Sequence, residues 1–452
     1  MRGLLAIFFF AFALAAEAAR PIARWDVVPY QFATGVFNAG VVAFHEKGVK
    51  VEFSVNGEKV CTVDERTLNP RTGIVEFVFP FDPSKYADGP VKIEAVATAP
   101  GEEPYALPAL TLYANSRKTL GSRKVIWADS VNGNDFAPGT KDEPVLTIKR
   151  AVQKCGDGGI VLLKRGVYKS RMIGGGLNRN YWTVIMAAPG LRPGEVKLRP
   201  GRTGTEKLCF RNVVFECEVL DGYGTAVLGE NGTTSAWFDN CIFRNIHGRY
   251  SGETTPFGGK LVAYVTRGMT SEMAFGPEAV LLRSHRLSKI AKCAMAPNGC
   301  LVAGCTVDDV AGDGKEAPSY LVKSRGMGDV WIEDVIIYSL KASNLACHVF
   351  SGSRWRNSAV VDFHADPAPS SLVTTQFAGE MDNVVFADVD IGPQTWQWVT
   401  PKNKHNAFKP KDVRLFGVKT GGMAGYVPPE KGPPGLSESA ACDAKQFPKG
   451  VK

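Results

Sequence analysis

Many signatures that would name a chemistry outright are missing from this chain. No Cys-x-x-Cys pair occurs among its 10 cysteines, which excludes a zinc site of the usual spacing. Gly174-Gly175-Gly176 is not followed by Gly-Lys-Ser/Thr, so it is no phosphate loop, and there is no Gly-x-Ser-x-Gly nucleophile elbow. There is no basic tail or Lys/Arg-rich helix, so nucleic acid is not an expected partner. Beyond the N-terminus no apolar run approaches the roughly 18 to 20 residues of a membrane span. Long runs of one residue type are also absent, while glycine reaches 48 residues; that combination favours many tight turns over disorder.

What is present begins with a leader. Arg2 supplies a positive start, Leu4 to Ala16 form a short apolar run, and Ala16-Glu17-Ala18 offers small residues for cleavage. Residues 1–19 therefore read as a signal peptide, and the mature chain is expected in the periplasm or outside the cell. Cys217, Cys241 and Cys305 sit inside apolar strand-like runs, where a thiol behaves as a small hydrophobe. Cys293 with Cys300, or Cys300 with Cys305, are the candidates for a local disulfide. The formal net charge of +8 attracts anions, acidic polysaccharide among them, and equally suits a solvated surface.

Residues 20–116 alternate apolar and polar positions in short runs. Val49 to Val55 is one such strand, Asn56-Gly57 is a hairpin turn, and Gly73 to Phe79 and Val91 to Ala97 continue the pattern. About a hundred residues of this kind predict a β-sandwich. Around Tyr86-Ala87-Asp88-Gly89 the segment resembles the immunoglobulin-like modules attached to extracellular bacterial enzymes.

After a linker at 116–123 the character changes. Asp129, Asn132-Gly133-Asn134-Asp135, Gly139-Thr140, Pro144, Thr147-Ile148, Gly156-Asp157 and Gly166-Val167-Tyr168 punctuate a strand, a turn-rich loop, a helix over 146–154 and a strand over 160–163. This order resembles the opening of the parallel β-helix proteins that include family-nine polysaccharide lyases, where a short helix caps the first coil. The resemblance spans about forty residues and implies a fold, not an activity.

Downstream, seven segments place Asn, Asp or Gly before alternating apolar residues, starting at Asn212, Asn240, Gly304, Asp334, Asn357, Asn383 and Asp412. Successive starts differ by 28, 64, 30, 23, 26 and 29 residues. One coil cannot bury its own inward face, whereas stacked coils can, and Asn, Asp and Gly suit a left-handed bend. The expected class is all-β: a right-handed parallel β-helix over 124–426, preceded by the sandwich. Residues 427–452 are rich in Pro, Gly, Lys and Ser and are expected to form a flexible tail.

Aligning the coils on those first residues turns offsets into columns. Seven residues on come His247, Ala311, Lys341, His364 and Asp390; nine on come Arg249, Asp313, Ser343, Asp366 and Gly392. Asp313, Lys341, His364, Asp366 and Asp390 are thus expected to form one polar patch. Such a patch suits β-elimination on a uronate, which needs the carboxylate neutralised, the C5 proton removed and the leaving oxygen protonated. Lys341 is a candidate base and His364 a base or acid, with Asp313 and Asp366 completing the catalytic set. Asp313, Asp366 and Asp390 are candidate calcium ligands, since calcium prefers several carboxylate oxygens and the family-nine lyases use a lysine and calcium-binding carboxylates. Alternatively, Asp313 and Asp366 flank a glycosidic bond as a hydrolase pair.

Trp396 and Trp398 would share one strand face, either as a sugar platform or as core, with Gln394 beside them. Arg354 and Arg356 flank Trp355 and either contact a substrate carboxylate or form ordinary surface charge. The leading reading is a secreted, monomeric enzyme acting on acidic polysaccharide, a lyase before a hydrolase. The alternative is a carbohydrate-binding β-helix without catalysis.

Overall fold

The computed structural model describes residues 20–120, 123–169, 173, 179–192, 194–199, 201–203, 207–216, 227–229, 234–244, 257–258, 261–271, 279–288, 299–308, 319–323, 331–345, 347–367, 374–393, 395–397, 409–410, 412–424 and 436–439. The first hundred of these form two antiparallel-dominated sheets. One joins Ile22–Trp25, Phe37–Phe44, Ile74–Phe81 and Thr67–Asn69. The other centres on Leu110–Ala114, Gly89–Thr98, Lys50–Val55 and Glu58–Val63. Asn56 and Gly57 take φ values of 51° and 85°, as a two-residue hairpin with matching twist requires. Ala39, Val41 and Ala43 meet Val51, Phe53, Ile93 and Ala95 between the sheets, and Phe53 stacks on Phe79 with ring centroids 5.2 Å apart.

The rest is a parallel β-helix, entered through Val125–Ala128 and a helix at Ile148–Cys155. Thr147 caps that helix by accepting a hydrogen bond from the Arg150 amide, and Ile148, Ala151, Val152 and Cys155 close the end of the core. Among the described residues, Val125–Ala128 and most later strands join one 20-stranded sheet whose ladders are parallel, and Gly201–Thr203, Val227–Gly229 and Phe257–Gly258 form a smaller parallel sheet. Side chains repeat from rung to rung inside the β-helix. Phe210 stacks on Phe238 at 5.4 Å and Phe215 on Phe243 at 5.3 Å. Cys300 and Cys305 are buried and no disulfide joins them, and Cys293 lies outside the described residues. Leu436–Ser439, within the segment expected to be a loose tail, pairs in parallel with Val413–Phe416.

The bends occur in two stacked columns, where the sequence suggested one. Asp334, Asn357 and Asn383 take φ of 58°, 48° and 51° at the first corner; Ser339, Asp362 and Asp388 take 52°, 54° and 50° at a second, five residues later. Asn212, Asn240 and Gly304 belong to the second corner, because Ala303 pairs with Tyr338 and Thr306 with Lys341. Asn, Asp and Gly tolerate the left-handed region at either corner, so one sequence pattern selected both. The expected columns need correcting accordingly. Thr306, not Ala311, stands level with Lys341, and Asp308, not Asp313, stands level with Ser343 and Asp366. Side-chain ladders form at both corners: Asn240 donates to Asn212 Oδ1 at 2.9 Å, and Asn383 to Asn357 Oδ1 at 3.0 Å.

Between the corners lie four residues per coil with alternating fates. Val335 and Ile337 point into the helix interior, whereas Ile336 and Tyr338 point outward. That outer face does not meet solvent. Ile336, Tyr338, Ala359, Val361, Val385 and Ala387 form one apolar cluster with Ile22, Val28, Val42, Phe44 and Ile74 of the sandwich. The sandwich strand Phe37–Phe44 is consequently covered on both sides, which accounts for the unbroken apolar run Val41-Val42-Ala43-Phe44. Polar clamps fix the two units. Asp334 accepts Arg20 at 2.7 Å and Arg24 at 2.8 Å, Arg414 reaches Glu46 at 2.6 Å, and Arg283 pairs with the fully buried Asp26.

Candidate functional site

Past the second corner each coil continues outward, and residues there alternate between the core and the surface. Leu340, Phe363 and Val389 are fully buried. The residues after them form an outer column: Thr306 pairs with Lys341, Lys341 with His364, His364 with Asp390, and Asp390 bridges to Lys419. Adjacent rungs are about 4.8 Å apart, so residues distant in sequence become neighbours. Lys341, His364 and Asp390 are therefore brought together as expected. Lys341 is exposed, His364 retains 35% of its side-chain exposure and Asp390 34%.

The corner itself contributes two carboxylates that the sequence reading passed over. Asp362 Oδ1 lies 3.0 Å from His364 Nε2, and Asp388 Oδ2 lies 4.0 Å from the same nitrogen. Asp362 is buried, with 7% of its side chain exposed, while Asp388 is half-buried. An ionised carboxylate only accepts, so the short contact makes Nε2–H of His364 the donor and turns Nδ1 away from Asp362. The missed signal is the pair Asp362-Phe363-His364 and Asp388-Val389-Asp390, which repeats at the same spacing as Asn357 and Asn383. Asp390 is engaged on its other flank: Oδ1 accepts the Gly392 amide at 2.9 Å, and Lys419 Nζ approaches Oδ2 at 3.8 Å.

The remaining expected residues fall elsewhere. Asp366 shares a rung with Ser343 and lies two residues beyond His364, so its position is one outward step further along the same strand. Asp313, Gln394 and Trp398 lie outside the described residues. Trp396 belongs to a short strand, Thr395–Gln397, paired with Gly422–Ala424 and not to the main ladder. Arg354 and Arg356 precede both corners on their strand and so sit on another face from Lys341 and His364. Arg356 forms a two-pronged ion pair with Glu333 one rung away, at 3.1 and 3.0 Å, and Trp355 between them is buried.

Of the three expected calcium ligands, Asp313 and the side chain of Asp366 lie outside the described residues, and only Asp390 is placed. Calcium takes oxygen ligands throughout, whereas the described cluster sets an imidazole nitrogen between two carboxylates, and Asp390 is turned to Gly392 and Lys419.

Tyr338, immediately before the corner, ties this region to the sandwich. Its hydroxyl donates to the Val75 carbonyl at 3.1 Å and its ring meets Phe44 edge-on at 5.2 Å. Burial pushes the hydroxyl pKa up; the nearby Arg66 opposes this, and the charges of Asp362 and Glu76 add to it. Val75 also borders a cleft of about 800 Å³ on the sandwich, lined by Lys47, Lys50, Arg66 and Phe77 among others. Burial lowers the Arg66 pKa to about 10.

No family model matches this chain, and no curated protein matches it either. Solved structures of similar course include a GH136 lacto-N-biosidase from Eubacterium ramulus, at 10% identity over 72% of this chain and 68% of that one, with a TM-score of 0.39. A PL6 family alginate lyase aligns at 10% identity over 70% of this chain and 53% of that one, TM-score 0.38. Pectate lyase PelI from Erwinia chrysanthemi aligns at 9% identity over 93% of this chain and 100% of that one, TM-score 0.17. Likeness at this level says nothing about the reaction. Among the described residues no helix is long and apolar enough to cross a membrane.

Proposed function

We propose that this protein is a secreted enzyme acting on an acidic polysaccharide, cleaving a uronate-containing chain by β-elimination. The observation that carries this reading is the outer column, in which Lys341, His364, Asp390 and Lys419 occupy successive rungs of one parallel ladder. An extended glycan laid along the stack would meet these groups in turn. Lys341 Nζ takes the C5 proton. The His364 ring, held through Nε2 by Asp362, gives a second proton, from Nδ1, to the leaving oxygen. Lys419, with 69% of its side chain exposed, offers its charge to the uronate carboxylate. The net charge of +8 supports an anionic substrate.

Incubation with pectate, alginate and glycosaminoglycans, followed by ultraviolet absorbance of the unsaturated uronate product, tests the reading. A rising absorbance on one of these supports it; silence across the panel, with and without divalent ions, rejects it.

A hydrolase would draw on a different pair: Asp308 and Asp366 occupy register positions two rungs apart, separated by Ser343. New reducing ends without absorbance would select that reading, and glycan binding without any cleavage would select a binding module.

A further inference from the structure

We propose that Asp362, His364 and Asp388 form a site for a divalent transition ion of the zinc class, not for calcium. The ligand atoms of the three side chains all lie within 4.8 Å of one another. Zinc bonds of about 2.0–2.2 Å in a tetrahedron set ligand atoms roughly 3.3–3.6 Å apart. The two contacts to His364 Nε2, 3.0 Å from Asp362 and 4.0 Å from Asp388, bracket that edge, so small side-chain rotations close the site.

The donor set also suits such an ion. Nε2 carries a single hydrogen, and Asp362 accepts it. Asp388 faces the same nitrogen from the next rung, where no second hydrogen exists. A dication can be shared by all three donors, which the single Nε2 hydrogen cannot be. Imidazole in the set favours zinc, manganese or iron over calcium. Three protein ligands leave a fourth coordination position open. The backbone supports the arrangement: Asp362 and Asp388 occupy equivalent left-handed corners on adjacent coils, and His364 projects two residues further on, past the buried Phe363.

An ion on Nε2 would replace the hydrogen that Asp362 accepts, so the ion-bound and ion-free forms of His364 are alternatives, and zinc uptake is measured independently of glycan cleavage. Binding is tested on the purified chain, stripped with a chelator and titrated calorimetrically with zinc sulfate. The expected result is one equivalent of zinc, retained in excess calcium chloride. Affinity should fall at least tenfold in Asp362→Asn, His364→Gln and Asp388→Asn, and stay unchanged in Glu52→Gln on the sandwich surface. Cobalt in place of zinc should give visible absorption bands that are lost in His364→Gln. Circular dichroism separates loss of the site from loss of the fold, and any one soluble, folded variant suffices. The proposal is overturned if the native chain takes up no zinc, if calcium displaces it, or if folded His364→Gln binds as tightly.

Discussion

Lys341 and His364 are direct partners across a parallel ladder, although the chain makes a full coil between them. Their side chains leave the same outer column because Leu340 and Phe363, the residues before them, are both committed to the core. The site is thus a by-product of stacking, and its precision depends on two left-handed corners keeping phase from coil to coil.

The first prediction concerns the orienting contact. Asp362→Asn keeps the shape of the corner but replaces a carboxylate acceptor with an amide, so His364 loses its fixed ring orientation. On whichever acidic glycan is cleaved, kcat should fall by about 10²–10⁴ with KM little changed, the size expected when general acid–base catalysis is lost. Steady-state kinetics on the native and variant chains give the answer; an unchanged kcat would remove Asp362 from the mechanism.

A second prediction follows from Glu76, which lies fully buried between the sandwich and the β-helix. Burial, and then the neighbouring Asp26, hold its carboxyl well above the usual range, with Arg71 opposing. Oε1 accepts Asn69 at 2.8 Å and Thr72 at 2.9 Å, while Oε2 has no partner among the described residues. The unfolded chain releases this proton in the ordinary carboxylate range and the folded chain keeps it. Between those two values the unfolded state binds fewer protons, so stability falls as pH rises, by up to about 1.4 kcal/mol per pH unit. Glu76→Gln should erase that slope: equal to native in acid, more stable at neutral pH. Urea denaturation at several pH values measures both.

The third prediction addresses the union of the two units. Arg283, on the β-helix, pairs with Asp26 of the sandwich, and Asp26 is fully buried. Arg283→Met removes that carboxylate's ion-pair partner, with only Arg71 left nearby, and should cost about 3 kcal/mol. Because Phe44 and Tyr338 share one apolar cluster, the native chain should lose sandwich and β-helix in a single transition. The variant should separate the two steps in a calorimetric scan. Two steps already present in the native chain would show that the interface is weaker than its burial implies.

Local features were legible because local chemistry decides them. Asn56-Gly57 made a hairpin, and Thr147 capped the helix that closes the first coil. Repetition made the β-helix legible as well, since no single coil can bury itself. The phase of the repeat was not legible. Asp334 and Gly304 look alike in sequence, yet one stands at the first corner and the other at the second. Anchoring on the wrong corner displaced Asp313 into the column where Asp308 belongs, and it hid the left-handed corners at Asp362 and Asp388. The docking of the sandwich was equally hidden, because Val42 and Phe44 carry no mark of the surface they cover.

The central claim is that the rungs bearing Lys341 and His364 form an active centre for cleaving acidic glycan. The most direct measurement compares initial rates of unsaturated-uronate formation by the native chain, Lys341→Met and His364→Gln, each verified as folded. The account predicts product from the native chain and at least a hundredfold loss in both variants. Equal rates in all three would contradict it.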